Sequence, residues 1–469
     1  MHTSYEGTNK MIAGIVLGVI TFWLFAQSMV NIVPAVQTGL NISLNMLNTA
    51  ISLTALFSGM FVVAAGNLAD KIGRKKMTYI GLLLNIVGSF LIIIAGGASL
   101  LIIGRIIQGL SAACIMPATI ALVSTYFVGP KRQRALSYWS IGSWGGSGVC
   151  SFAGGAIATY MGWQWIFVFS IICSILAMML LKDTPESKGS GDQTARFDIS
   201  GLSLFIIMML GLNILITKGA DFGWMSMTTM ILLAVTIGTT LIFINTEWKK
   251  ANALVDFKIF SNKAYTAATI SNFLLNAVAG TLVVTNLYVQ IGRGFNAFQS
   301  GLLSIGYLVS VLVMIRIGEK ILQHVGARIP MLVGSVLTAV GIGLMAFTFL
   351  PDTYYLIAVF IGFILFGTGL GMYATPSTDT AVCNAPEAKL GTASGIYKMA
   401  SSLGSSFGVA IATAVYSVAL NTGHIDFAAT AGIITNLLFA ICSFIAIWVL
   451  IPSTAKVKAR EPETVTTVS

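Results

Sequence analysis

Fourteen apolar stretches, each long enough to cross about 30 Å of hydrocarbon as a helix, follow one another along the chain. They begin near Met11, Asn45, Met77, Ser99, Ala135, Trp163, Ile199, Met225, Ala264, Gln299, Ile329, Tyr354, Ser394 and Thr430. In lipid each backbone amide must be satisfied inside the segment, so runs of this kind read as helices. Composition agrees: 9% of residues are charged and 56% hydrophobic, where a soluble domain carries about a quarter charged residues. The expected fold is therefore an all-α polytopic membrane protein.

The few charges are distributed unevenly. Alternate loops hold Lys71, Arg74, Lys75 and Lys76; Lys131, Arg132 and Arg134; Lys182, Lys188 and Arg196; Lys249, Lys250, Lys258 and Lys263; and Lys320 with Arg328. Lys10 and the tail bases Lys456, Lys458 and Arg460 share that side, while the opposite loops hold Lys218 and Arg293. The bias of Lys and Arg toward the cytoplasm then predicts that both termini are cytoplasmic. It also accounts for the net charge of +10 through lipid headgroups and topology, without a nucleic-acid partner.

Other chemistry is excluded in turn. Cys114, Cys150, Cys173, Cys383 and Cys442 lie in or at the ends of apolar runs, form no CxxC pair and read as small buried hydrophobes. His2, His324 and His424 fall in tails or loops, which leaves neither a metal cluster nor a histidine relay. No acid/base or nucleophile cluster marks an enzyme, and no ring of like groups marks a channel. The run from about Met11 to Val33 is too long for a signal core and reads as a first span.

An internal repeat divides the chain. "CIMPATIALV" (114–123) matches "YATPSTDTAV" (373–382), and at the same offset "SIGSWGGS" (140–147) falls on "MASSLGSS" (399–406). "ADKIGRKK" has a decayed counterpart in "LQHVGARI" (322–329), with Asp70 on Gln323 and Gly73 on Gly326. Duplicated halves are a common transporter design. The expected organisation is a six-helix bundle (1–190), a two-helix insertion with linkers (191–260), a second six-helix bundle (261–455) and a cytoplasmic tail (456–469), working as a monomer.

"GNLADKIGRKK" (66–76) resembles the signature after the second span of major facilitator transporters, and "LIIGRIIQGLSAA" (101–113) resembles their span-four motif. "GWQWIF" (162–167), "FDISGL" (197–202) and "FGVAIATAV" (407–415) are similar to stretches of the fourteen-span drug:proton antiporters, above all the Nor-type multidrug and quinolone exporters of Gram-positive bacteria. The resemblance implies a cytoplasmic gate of Gly66, Asp70, Gly73 and Arg74, latched in the outward-open state. Physically, Gly73 permits a positive-φ reversal, Asp70 suits the positive end of a neighbouring helix, and Arg74 suits a carboxylate.

Arg105, with Gln108 one turn along the same face, is expected to serve proton coupling by polarising water or tuning an acid, since arginine itself stays charged. In span five the resemblance implies a packing motif of small residues, here Gly142, Gly146, Gly148, Gly154 and Gly155, with Cys150 and Ser151 where that family has Gly-Pro. The first span has Ala26 where the family commonly carries an aspartate, although Asn31 and Pro34 persist.

Asp379 is then the one acid expected inside a span. It reads either as a proton carrier or as an interfacial acid pairing Lys398. The expected cavity wall includes Gln27, Asn31, Tyr138, Trp144, Asn276 and Tyr397, with Phe22, Trp23 and Asn272 nearby, and the twenty methionines suit an adaptable site. The resemblance thus implies export of amphipathic, often cationic drugs across the cell membrane, driven by the proton gradient with no cofactor and no metal. Export of an endogenous metabolite such as a siderophore, lipid or osmolyte fits the same residues.

Overall fold

The computed structural model describes residues 5–26, 28–29, 32–189, 198–223, 225–250, 253–295 and 297–452. A first bundle contains α1 (Asn9–Ile20), α2 (Val33–Leu40), α3 (Leu44–Ile72), α4 (Arg74–Ile93), α5 (Ala98–Tyr126), α6 (Gly129–Ser140), α7 (Gly146–Tyr160) and α8 (Gln164–Leu180). A pair follows, α9 (Ile199–Phe222) and α10 (Met227–Lys249). The second bundle contains α11 (Lys263–Ala277), α12 (Ala279–Ile291), α13 (Ala297–Leu303), α14 (Ile305–Val325), α15 (Arg328–Met345), α16 (Asp352–Cys383), α17 (Leu390–Leu420) and α18 (Ile425–Leu450). Eleven helices among the described residues are long and apolar enough to cross a membrane, and Gln164–Leu180 and Ile199–Leu215 are shorter apolar helices.

Each run expected from the sequence begins in a helix or within two residues of one. The fifth run differs: its helix starts at Gly129, earlier than expected, and is divided by a π-helical turn at Ile141–Gly145. A second π turn, Thr21–Ala26, extends α1. The two π turns touch each other. Such turns inside α-helices often mark functional sites.

The hydrophobic pattern is that of a protein solvated by lipid. On α4, Leu83, Val87 and Phe90 face outward, while Gly81, Asn85, Gly88 and Ser89 are buried. Asn85 donates to Ser170 and Ser174 Oγ at 2.8 Å each. Small residues let the backbones close in: a Cβ on Gly88 would lie 2.9 Å from the Gly104 carbonyl oxygen of α5. This is the close approach by which helices associate in lipid, where apolar burial gives no advantage over the tails.

The α9–α10 pair packs with α9 against α3 and α17. Its base is tied at the end of the molecule that carries the basic loops: Lys250 Nζ donates to both Asp198 oxygens at 2.7 and 2.8 Å, and Asp198 accepts from Gly201 N at 2.8 Å. Burial opposes ionisation of Asp198, but the Lys250 ammonium and these N–H donors outweigh it and hold its carboxyl at about 2.

Candidate transport site and gate

At the basic end the turn between α3 and α4 meets the start of α17. Gly66 and Gly391 are in backbone contact: a Cβ on Gly66 would lie 2.2 Å from the Gly391 carbonyl oxygen. No other residue type fits that crossing. Four positions on, Asp70 is buried and accepts from Gly391 N and Thr392 N at 2.9 Å each. These are orphan donors of the first turn of α17, so the carboxylate caps that helix from the other bundle.

Arg74 holds Asp70 from its own side through Nε and Nη2 at 3.1 and 2.9 Å. It also donates to Thr125 Oγ1 at 2.6 Å and to the Glu387 carbonyl at 3.0 Å. Gly73, at φ +123°, makes the reversal that brings the two residues together. The four gate residues expected from the sequence therefore meet at one inter-bundle contact.

Sequence reasoning missed the strap laid over this turn. Arg74 N donates to the Ser187 carbonyl and Gly189 N to the Asp70 carbonyl, both at 2.8 Å. Glu186 accepts from Lys75 N and Lys76 N at 2.9 Å, capping α4. Its carboxyl fills the space a Cβ on Gly73 would take. The signal lay in the lone acid of "TPESKG", which the charge count passed over.

A second tie joins the bundles nearby. Asp379 of α16 accepts from Arg132 Nε at 2.9 Å and from Gln133 Nε2 at 3.1 Å, both on α6. The expected interfacial partner, Lys398, is not the one found. Lys398 lies instead over the rings of Trp139 and Trp23, 5.0 and 5.6 Å from their centroids. Nor is Asp379 alone inside a helix: Glu319 on α14 and Glu247 on α10 are each 2% exposed. Glu319 pairs with Arg316 and accepts from Gln323 Nε2. The expectation of a single acid inside a span therefore fails, because burial of helix ends by neighbouring segments leaves no local mark in the sequence.

Arg105 is 1% exposed. It donates through Nη1 to the Ala26 carbonyl at 2.8 Å and to Gln108 Oε1 at 2.9 Å, and its Nε has no partner among the described residues. Gln108 in turn donates to Ser89 Oγ at 3.2 Å. The guanidinium thus meets a backbone oxygen at the residue where the family aspartate is missing, and no carboxylate among the described residues pairs with it.

The span-five glycines face span one. A Cβ on Gly142 would lie 3.4 Å from Val16, one on Gly146 3.0 Å from Trp23 Cβ, and one on Gly154 2.8 Å from Ser28 Cβ. Gly148 and Gly155 lie on the same helix, but their surroundings fall outside what is described, as do Gln27 and Asn31 altogether.

Between the bundles lie two cavities sharing Trp23, Ser402 and Ser405. One, about 240 Å³, is walled by Trp144, Asn276, Tyr307, Phe366 and Lys398; the other, about 160 Å³, by Phe22, Ser58, Met209 and Asn213. Trp144 and Asn276 are where the sequence put them. Tyr397 and Asn272 are not on either wall: Tyr397 donates to Ser377 Oγ at 2.9 Å, and Asn272 donates to the Tyr397 carbonyl at 2.8 Å, both inside the second bundle. Tyr138 lies under the Arg316 guanidinium, 4.6 Å from its ring centroid, and also lines neither cavity. Met209 and Asn213 belong to α9, so the inserted pair supplies cavity wall, which its peripheral place in the sequence did not suggest.

Two helical bundles tied at one end around a shared cavity define a membrane transporter. The chain belongs to the Major Facilitator Superfamily, which it matches over residues 15–409, and within it to the Nor-type exporters. It is 57% identical over 449 residues to the quinolone resistance protein NorB of Staphylococcus aureus strain COL, covering 96% of this chain and 97% of that one. The NorB of strain MSSA476 is 58% identical over the same length. Among solved structures, the proton:xylose symporter XylE superposes with TM-score 0.67 at 15% identity, covering 94% of this chain and 95% of that one. The human organic anion transporter MFSD10 gives 0.64 at 12% identity, covering 93% and 98%. At such identities the two structures share the fold alone.

Proposed function

We propose that the protein is a proton-driven exporter of amphipathic drugs of the quinolone kind, crossing the cell membrane fourteen times as six, two and six helices with both termini in the cytoplasm. The observation that carries the reading is the cavity between two bundles that are tied together at the basic end, beside close kinship to a quinolone resistance protein. On this topology the basic end is cytoplasmic, and the tied form is closed to the cytoplasm. Rocking of the bundles about the cavity then alternates access. The monomer needs no cofactor, since the proton gradient and membrane lipid suffice.

Arg105 with Gln108 keeps a fixed positive charge in span four, and Asp379 completes the proton-coupling set at the gate. The Asp379 carboxylate holds Arg132 and Gln133 of the other bundle, so removing its charge loosens the cytoplasmic tie. One net charge moved down 100 mV releases about 2.3 kcal/mol, which supports roughly a fifty-fold drug gradient.

The test is efflux from cells expressing the protein, using a fluoroquinolone and a fluorescent dye with and without a protonophore. Accumulation should rise when the protonophore is added and in the Arg105→Ala variant. Efflux of neither compound by well-expressed wild type, or efflux indifferent to the protonophore, overturns the reading.

A further inference from the structure

The charge on the cavity wall is positive. Neither cavity is lined by an Asp or Glu, and the larger is lined by Lys398. Lys398 is 8% exposed and makes no ion pair or hydrogen bond among the described residues; its ammonium sits over Trp23 and Trp139. A buried lysine without a carboxylate is costly unless something charged visits it. The same wall holds a second unmet donor, since Trp23 Nε1–H is buried with no acceptor among the described residues. The same cavity is lined by the aromatic residues Trp144, Tyr307 and Phe366.

From this juxtaposition we infer that the cavity is a carboxylate-recognition site, taking an aromatic substrate whose carboxylate rests on Lys398 Nζ and Trp23 Nε1–H while its rings lie against Trp144, Tyr307 and Phe366. The inference deepens the exporter reading and rests on it for the direction of transport only. It corrects the emphasis on cations. A quinolone acid, anionic or zwitterionic, meets a counter-charge here, whereas a permanent cation meets an ammonium and gains only aromatic contact. The indole rings of Trp23 and Trp139 support the ammonium on the cavity wall, and a bound carboxylate would pair it.

The experiment is equilibrium binding to the purified full chain in lipid nanodiscs, with three probes: a fluoroquinolone acid, its methyl ester and ethidium. Wild type should bind the acid at least about tenfold more tightly than the ester, about 1.4 kcal/mol. Lys398→Gln should erase that difference and Lys398→Arg should keep it. Trp23→Phe, which retains a ring but no donor, should weaken the acid selectively by a few-fold. Undiminished ethidium binding in each variant shows that the cavity is intact. Equal binding of acid and ester by wild type, or equal weakening of acid and ethidium in Lys398→Gln, overturns the inference. Binding of the acid without any efflux from cells would instead sink the exporter reading and leave the site standing.

Discussion

Replacing Asp70 with asparagine isolates the latch. The side chain keeps its shape and one acceptor oxygen but loses the charge, and its new NH₂ group is turned toward an N–H donor of α17. The Asp70–Arg74 pair joins adjacent turns of the first bundle, so it is present whether or not the bundles part and does not bias that equilibrium. What the substitution changes between the two states is the pair of bonds from Gly391 N and Thr392 N, both 2.9 Å, beside a longer one from Thr392 Oγ1 at 3.3 Å; the Arg74 bond to the Glu387 carbonyl also crosses between the bundles but is common to both variants. Hydrogen bonds to a charged group contribute about 1.5–3 kcal/mol each, neutral ones about 1. Losing one and weakening the other should therefore destabilise the tied form by about 3 kcal/mol, a shift of roughly a hundredfold in its population. Spin labels at Lys76→Cys and Lys320→Cys, exposed residues at the basic end of either bundle, read the separation in an otherwise cysteine-free chain. The variant should exchange short distances for long ones. An unchanged distribution together with lost efflux would refute the latch and move Asp70 into the proton chemistry.

Two further outcomes follow from other contacts. Gly154→Ala should disturb the span-one contact, because its Cβ would lie 2.8 Å from Ser28 Cβ, whereas Gly142→Ala meets ordinary contact at 3.4 Å. Overpacking costs about 1–3 kcal/mol, so melting in nanodiscs should drop for the first variant and hold for the second. At the base of the inserted pair, the Asp198 carboxyl is held at about 2, below the ordinary 3.8, by Lys250 and N–H donors despite its burial. A depressed carboxyl stabilises above its unfolded value and loses that contribution as pH falls through the folded one. Hydrogen-exchange protection around Asp198 and Gly201 should therefore be steady down to about pH 4 and fall toward pH 2, and Asp198→Asn should remove the pH dependence.

What could be read from the sequence follows from which forces are periodic. Apolar run length is summed over many residues, so the helices were legible without coordinates. The meeting of Gly66, Asp70, Gly73 and Arg74 was legible because they lie within nine consecutive residues, and the contacts of Gly142, Gly146 and Gly154 because they share one helix that faces span one. Pairings between distant segments were not. Arg132 and Asp379 are 247 residues apart, and nothing local marks either as the other's partner. The breaks at Val278 and Ser304, which divide α11 from α12 and α13 from α14, carry no Pro or Gly at the break itself. Nothing local marks the roles of Glu186, which caps a helix, and Glu319, which is buried.

The two ties at the basic end are related in a way that neither shows alone. In the register that lays 140–147 on 399–406, Arg132 and Gln133 fall on Gly391 and Thr392. Those are the residues that Asp379 and Asp70 respectively engage. Each bundle thus presents an acid to the same position of its neighbour's fifth helix, one through backbone N–H groups and the other through side chains. Asp70's own repeat counterpart, Gln323, has lost the charge: it donates to Glu319 of its own helix at 3.0 Å and reaches across to the first bundle at the Pro130 carbonyl, at 3.4 Å. The acid is supplied instead from α16. Duplication preserved the place where closure is made while the residue making it moved to another helix. Both crossings lie at one end of rigid bundles, so rocking must strain them together. A change of charge at either acid should therefore be felt at the other, although the two carboxylates share no partner in the structure.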